Sequence, residues 1–507
     1  MSSHKRINLI CLAIIALTVV LTLLFMNGKA LGLRPIGGGP GDGTGGNSLF
    51  SDADLYDSWD VKDATQILLE GSTARVLGGG AYFHEGRVVI SASGYYRLSG
   101  TLESGPVLVD ADKGSKVFLM LDGAHLQCED DACLWIEQAD KVVLTLAQGS
   151  KNSIADAPSR SEEAALARRD GAIFARDDLS INGPGSLTVT AAYKHGIDAH
   201  DDLVLTGGKI LVSAVRDALH VNDSLRLRNA SLELEAGHVG LSQELPGGRF
   251  YMESGSLTVN SEGDAVHTAG DTELLGGTLT LSAADDAVHA EGSFLQSGGK
   301  LAISTCREGV EASLIRVSGG DVQLSCRVNG LNAALPADRE DLAALKPLIE
   351  ISGGSVAVLC AEGSHADGLD SNGDILISGG ALLVSLADNK GNCALDWGRE
   401  NGGILRITGG SVVCLDSGAS TDGPDRSSTQ PALLCGLGST RAAGTVLVLE
   451  DRDGTELLRA EAPCSFSAAL LSSPRLVKGT PVRLLVDGLV REISLDESFT
   501  VQGVFDE

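Results

Sequence analysis

The sequence predicts an all-β chain: a right-handed parallel β-helix with coils of about 22 residues, short helical insertions and a C-terminal β cap. Three observations predict it. Glycine makes up 64 of 507 residues while aromatics are only 4 %, which calls for many turns around an aliphatic core. From about residue 170 to 420 the chain repeats a short apolar strand, a Gly-Gly turn and a second apolar strand. Within the strands apolar and polar residues alternate; in Lys209 to Ala214 the inward set is Ile210, Val212 and Ala214.

The same numbers exclude other classes. A formal charge of −28, from 67 acidic against 39 basic residues, repels nucleic-acid phosphates, so no nucleic acid is expected as a partner. A hydrophobic content of 43 % argues against disorder. Collagen's three-residue glycine period is absent, and so is the Leu and Asn pattern of a leucine-rich repeat.

Taken in order, residues 1–30 form an N-terminal membrane anchor or signal segment. Ile7 to Met26 is almost wholly apolar and follows His4, Lys5 and Arg6, long enough to span a bilayer and longer than a usual signal h-region. An uncleaved anchor is favoured over a cleaved signal at Gly28-Lys29-Ala30. Either way the rest lies outside the cytoplasm, so the expectation is an extracellular protein on the cell surface, or a secreted one if the signal is cleaved. Residues 31–50 are a Gly-rich linker. Residues 51–169 are read as the N-terminal cap and first coils, 170–439 as the repeat-bearing β-helix, and 440–507 as hairpins that close the open end. Ser161 to Arg169, with Ser161 as N-cap, and Ala337 to Lys346 each look like a short helix. Nine cysteines outside the anchor are read as small buried hydrophobes, with Cys128 and Cys133 as a disulfide candidate.

The Gly-Gly turns read TGGK (206–209), LGGT (275–278), SGGK (297–300), SGGD (318–321), SGGS (352–355), SGGA (378–381) and TGGS (408–411). Each coil then reaches a short box, such as DALHV (217–221), DAVHT (264–268), DAVHA (286–290) or DGLDS (367–371). Box starts at 195, 217, 264, 286, 308 and 329 lie 22, 47, 22, 22 and 21 apart; the 47 is two units.

Alternation gives each box one outward residue. These are Phe174, Asp198, His220, Ser242, His267, His289, Glu311, Asn332, Asp370 and Asp396. Stacked about 4.8 Å apart they form a single ladder. The equivalent row after the Gly-Gly turn reads Thr188, Leu211, Glu233, Thr258, Thr280, Ala302, Gln323, Ala357, Leu383 and Val413, which is bland by comparison. The box row is therefore the candidate ligand face, with Asp198, His220, His267, His289, Glu311, Asn332, Asp370 and Asp396 as its binding residues. Phe174 is placed to stack on a sugar ring, whereas Trp397 points inward.

A second, mostly acidic set sits at the turn opening each box: His195, Asp217, Asp264, Asp286, Glu308, Asn329 and Asp367, with Asp285 beside Asp286. Stacked carboxylates repel by about 1 kcal/mol per neighbouring pair when solvated. A hard divalent cation removes that cost, and oxygen donors suit Ca²⁺. Asp217, Asp264, Asp285, Asp286, Asp367 and Asp370 are the candidate calcium ligands. The histidines, spaced by whole coils, do not read as a Cys/His zinc constellation.

The boxes, the Gly-Gly turns, the Asp178-Leu179-Ser180-Ile181 strand, VVISASGYYRLSGTL (88–102), KNSIADA (151–157) and SSPRLVKG (472–479) resemble a known family. It comprises bacterial cell-surface carbohydrate-binding β-helix proteins that bind calcium and acidic plant polysaccharide such as polygalacturonate (pectin). The resemblance covers roughly residues 51–505. It implies a pectate-lyase-like shape with binding in place of cleavage. HGIDA (195–199), EGVEA (308–312) and CALDW (393–397) depart from the family's box, which leaves the number of ions open.

The expected function is non-catalytic binding of acidic polysaccharide through Ca²⁺ on one face, by a monomer tethered to the membrane. The alternative is a Ca²⁺-dependent polysaccharide (pectate) lyase, with Lys194, Arg216 or Arg307 as base. A third class is a surface adhesin or structural protein.

Overall fold

The strands from 171 to 416 stack almost entirely in parallel, each pairing with the equivalent strand one coil further on. The stack runs, for example, 171–175 on 195–199, 178–182 on 203–205, and 186–191 on 209–214. The molecule is a computed structural model; it describes residues 49–505 except 59, 338, 361–365, 388–390, 392 and 419–421. The apolar segment 7–26 and its linker lie outside the described residues. Among the described residues no helix is long and apolar enough to cross a membrane.

The described residues from 52 to 505 form one body, all-β and solenoid-like. Three faces recur in every coil: the box strand, a middle strand, and the strand after the Gly-Gly turn. Their inward residues fill one continuous aliphatic core, which contains Ile197, Ile210, Val212, Leu219, Leu234, Val288 and Leu369. Alternation is plain in 209–214, whose residues are exposed and buried by turns.

The Gly-Gly turn has two separate requirements, shown at 379–380. Gly380 sits at φ +75°, a left-handed conformation that costs a side-chain-bearing residue about 1–2 kcal/mol. Gly379 lacks that need, but a Cβ there would lie 2.3 Å from the Ser352 carbonyl oxygen of the preceding coil. Coils this close tolerate no side chain at the first glycine.

Both ends depart from the parallel pattern. At the N-terminal end 65–71 pairs antiparallel with 73–77 and parallel with 94–102. The short helix 52–55 inserts Asp54, 1 % exposed, where Lys141 Nζ donates to its Oδ1 at 2.8 Å. At the C-terminal end 466–472 runs antiparallel to 412–416, and a separate antiparallel sheet is built from 446–450, 456–461, 481–486 and 489–494. This end has its own apolar cluster, including Val413, Leu449, Phe466 and Leu484, with Leu383 packed on it. Two outward residues of the bland row are thus covered.

The two insertions differ. Glu162–Leu166 is an α-helix whose first turn is capped by Ser161 Oγ, accepting from Ala164 N at 3.2 Å. The described residues of 337–346 instead form successive turns with three-residue bonds, such as Leu342 N to Arg339 O at 3.0 Å. Pro336 and Pro347 bracket this stretch, and Arg339 is drawn away to neighbouring coils rather than along a helix. All nine described cysteines are free thiols, Cys128 and Cys133 included, and eight are buried.

Gly379→Ala is expected to destabilise the fold by about 1–3 kcal/mol through overpacking. Gly247→Ala, where nothing lies within 4 Å of the added carbon, is expected to change little. Denaturant melts of the two variants measure the difference.

Candidate functional site

The box strands set one outward residue on the next without a break. Phe174 pairs with Asp198, then His220, Ser242, His267, His289, Glu311, Asn332, Asp370 and Asp396. The row also extends upstream through Trp135, Leu108 and Val89. Three chemically distinct zones follow along it.

The first zone is apolar. Val89, Leu108, Ala132, Trp135 and Phe174 form a small cluster outside the main core. The helical insertion closes over it: Arg169 lies 3.9 Å from the Trp135 ring and makes a bidentate pair with Asp131, both contacts 2.7 Å. Phe174 is fully buried, with His200 against its edge at 4.9 Å. It does point to the outer face, but it is packed beside Trp135 and His200 and offers no open ring to a sugar.

The second zone is rich in histidine. The Nδ1 atoms of His195 and His220 lie 3.1 and 3.3 Å from the same Asp217 Oδ2, with the two rings stacked at 4.4 Å. His238 Nδ1 and Val239 N hold the other oxygen, at 2.7 and 3.2 Å. Burial pushes the Asp217 carboxyl up, but the surrounding imidazoles outweigh it and hold the group well below the usual range. Two coils on, Asp264 Oδ2 faces His267 Nδ1 at 3.2 Å and His289 Nδ1 at 4.0 Å. The Asp264 bond raises His267, while burial and the neighbouring His267 lower His289. Asp198 is 2 % exposed, and burial raises its carboxyl.

The third zone is acidic. Burial, then Glu308, pushes Asp286 up to about 8. Burial and Glu308 likewise raise Glu311 to about 7. Asp370 also stands near 7, through burial, Asp367 and Asp396. Oxygens of Asp264, Asp285 and Asp286 gather within 4.8 Å of one another. Arg307 lies on this group, with Nε 2.5 Å from Asp285, Nη1 2.9 Å from Glu308 and Nη2 3.2 Å from Asp286. One cation thus faces three carboxylates. Asn329 Nδ2 donates to Asp370 Oδ2 at 3.1 Å, and Asn332 Nδ2 to Glu308 Oε2 at 2.8 Å. Arg339, from the turn-rich insertion, reaches back beside the row to Glu291 Oε2 at 2.7 Å and the Ala269 carbonyl at 2.8 Å.

The acids that open the boxes also have a backbone role. In three of them Oδ1 accepts an N–H of the next coil: Asp264 from Asp286 at 3.0 Å, Asp286 from Glu308 at 3.3 Å, and Asp367 from Cys393 at 3.0 Å. Asn329 does the same for Asp367 at 3.2 Å. Only the second oxygen faces the ladder in Asp264 and Asp286, toward a histidine three residues on.

Sequence spacing had set the histidines apart by whole coils; stacking turns that spacing into contact. Sequence reasoning placed His195 in the box-opening set without choosing it as a ligand, and passed over His200 and His238. It passed over a second acidic group, Asp201, Asp202 and Asp223, where burial and Asp178 raise Asp201 to about 7. The repeated Asp-Leu pairs at 178–179 and 202–203 were the available signal.

This geometry can be set beside known proteins. Residues 84–423 match the family described as carbohydrate-binding domain-containing protein. The chain belongs to that family. A member from Acetivibrio thermocellus is 39 % identical over 131 residues, 26 % of this chain and 46 % of the relative, so the match spans about half the relative's length. A polysaccharide lyase-like protein from C. thermocellum, solved as a gadolinium derivative, aligns over 54 % of this chain and 98 % of its own, at 25 % identity and a TM-score of 0.40.

In metal-free protein the raised Asp286 carboxyl makes a signed prediction. Its folded pKa of about 8 lies above the unfolded value of about 3.9, so the folded state binds more protons between them. Stability is therefore expected to fall as pH rises from about 4 to about 8. Asp286→Asn keeps the Oδ1 acceptor and is expected to flatten that fall, which thermal melts in chelator at pH 4.5 and pH 8 will measure.

Proposed function

We propose that this chain binds acidic polysaccharide without cleaving it, through Ca²⁺ held on the acidic zone of the box row. The supporting observation is the raised carboxyl set: Asp286, Glu311 and Asp370 stand at about 8, 7 and 7 without a metal. Burial is the first cause in all three, and neighbouring carboxylates (Glu308 beside Asp286 and Glu311, Asp367 and Asp396 beside Asp370) add to it. The donors are all oxygen, and Ca²⁺–oxygen distances of about 2.3–2.6 Å allow donors up to about 5 Å apart. The Asp264, Asp285 and Asp286 group fits that span. Asp264, Asp285, Asp286, Glu311 and Asp370 would hold calcium; Asp217, paired with imidazoles, belongs to a different donor set, and Asp367 contributes through its place beside Asp370. Bound calcium would present positive charge to uronate carboxylates, which the bare −28 chain would repel.

On this reading the chain is a right-handed β-helix, the hand that parallel β crossovers almost always take. It sits outside the cell as a monomer, tethered by the apolar segment 7–26. His220, His267, His289, Asn332 and Asp396 line the same row as polar contacts for the glycan.

Binding is favoured over lyase chemistry by the state of the basic residues. Lys194 Nζ is tied to Asp170 at 2.9 Å, and Arg307 to three carboxylates. A base engaged in this way is a poor acceptor for a proton α to a uronate. Arg216 is exposed beside the histidine zone, away from the acidic one.

Binding to polygalacturonate is expected at millimolar Ca²⁺ and to vanish in EGTA, as read by affinity electrophoresis. Glu311→Gln and Asp370→Asn, which leave the box-opening acids intact, are expected to weaken it about tenfold or more through lost ligand charge. Absorbance at 235 nm should stay flat; a steady rise would indicate unsaturated product and a lyase.

A further inference from the structure

We propose a second metal site, separate from the acidic zone: a Zn²⁺-class ion held by His195, Asp217 and His220. Three observations carry it. The first is convergence. The two Nδ1 atoms stand 3.1 and 3.3 Å from one carboxylate oxygen, and all three donor atoms fall within 4.8 Å of one another. Ligands about 2.05 Å from a tetrahedral centre are about 3.3 Å apart, so the donors already stand near the spacing of a filled site.

The second observation is unmet polarity. Nδ1 of His195, Nδ1 of His220 and Oδ1 of Asp198 are buried with no aligned hydrogen-bond partner. His195 and Asp198 are 5 % and 2 % exposed. A buried polar atom left in this way costs about 1–3 kcal/mol. Asp198 is the ladder neighbour of His220 and adds a second negative charge beside Asp217. A divalent cation balances the two carboxylates.

The third is support around the donors. His238 Nδ1 and Val239 N fix the far oxygen of Asp217, at 2.7 and 3.2 Å, which aims the near oxygen at the histidines. The donors and this support come from three successive coils.

The donor set decides the ion. Two imidazoles and one carboxylate suit a late first-row metal and are poor ligands for Ca²⁺. The neighbouring Asp264, His267 and His289 group has the same composition but is looser. His267 already makes an aligned bond to Asp264, His289 stands 4.0 Å away, and both rings are near 30 % exposed. Three protein ligands leave a fourth position for water or for a ligand group.

The test uses the full chain titrated with Co²⁺ and then Zn²⁺, in buffer holding 5 mM Ca²⁺. One equivalent of Co²⁺ is expected to give visible ligand-field absorption that one equivalent of Zn²⁺ abolishes. His195→Ala and His220→Ala should each lower Co²⁺ affinity at least a hundredfold, while His267→Ala leaves it unchanged. His195→Asn serves as a milder variant, and circular dichroism checks that each variant is folded. Absorption that survives in folded His195→Asn and His220→Ala, or that disappears in His267→Ala alone, overturns the assignment. So does a wild-type chain that shows no absorption at all. Calcium dependence of polygalacturonate binding by the wild-type chain reports on the calcium reading separately, since none of the carboxylates assigned to calcium is a ligand here.

Discussion

Each coil rests on the next at a fixed register, and this stacking decides what any side chain can meet. Residues about 22 apart in the chain become neighbours about 4.8 Å apart in space. A charged or polar residue on the outer face is therefore never alone; its environment is the same position one coil up and one coil down. Repulsion between like acids, pairing of an acid with imidazole, and shielding of an apolar side chain all follow from what the repeat places in adjacent copies.

That constraint explains which parts of the molecule were legible beforehand. Alternation and period identified the whole outward row, from Phe174 to Asp396, because both depend only on strand geometry. The Ser161 cap was legible for a similarly local reason. What escaped needed knowledge of a third dimension. Phe174 is buried among Trp135, Ala132 and His200, and nothing in its own strand announces that cover. The stretch 337–346 has helical composition, but Pro336 and Pro347 bracket it and Arg339 is drawn away to Glu291. His195 opens its box strand on the side of inward Ile197, and His238 lies in the bend before Val239, so an outward-row reading skips them even though both reach Asp217.

The row is also less uniform than its regular spacing suggests. An apolar start buried beneath an insertion gives way to histidines paired with Asp217 and Asp264, and then to acids whose carboxyls are raised. The same scaffold thus offers nitrogen-rich and oxygen-only surroundings a few coils apart. Arg307 lies within the acidic part and Arg339 beside the row, tied to Asp285 and its neighbours and to Glu291 respectively. Family membership as a carbohydrate-binding domain accords with a long graded face of this kind.

The forward reach of the box-opening side chains has a consequence for how such a chain changes over generations. Asn329 serves Asp367, and Asp367 serves Cys393, each accepting one amide from the coil ahead. Cys393 brings no carboxyl, and at the next step Ala394 N is met instead from the following strand by Asp416, at 3.1 Å. Where acceptor and amide stand one coil apart, as from Asp264, Asp286, Asn329 and Asp367, duplicating or deleting an entire coil keeps the count balanced. Removing part of a coil strands an amide. Gene rearrangement can therefore lengthen or shorten the outward row in whole-coil steps, while Asp416 meets the last amide of the series.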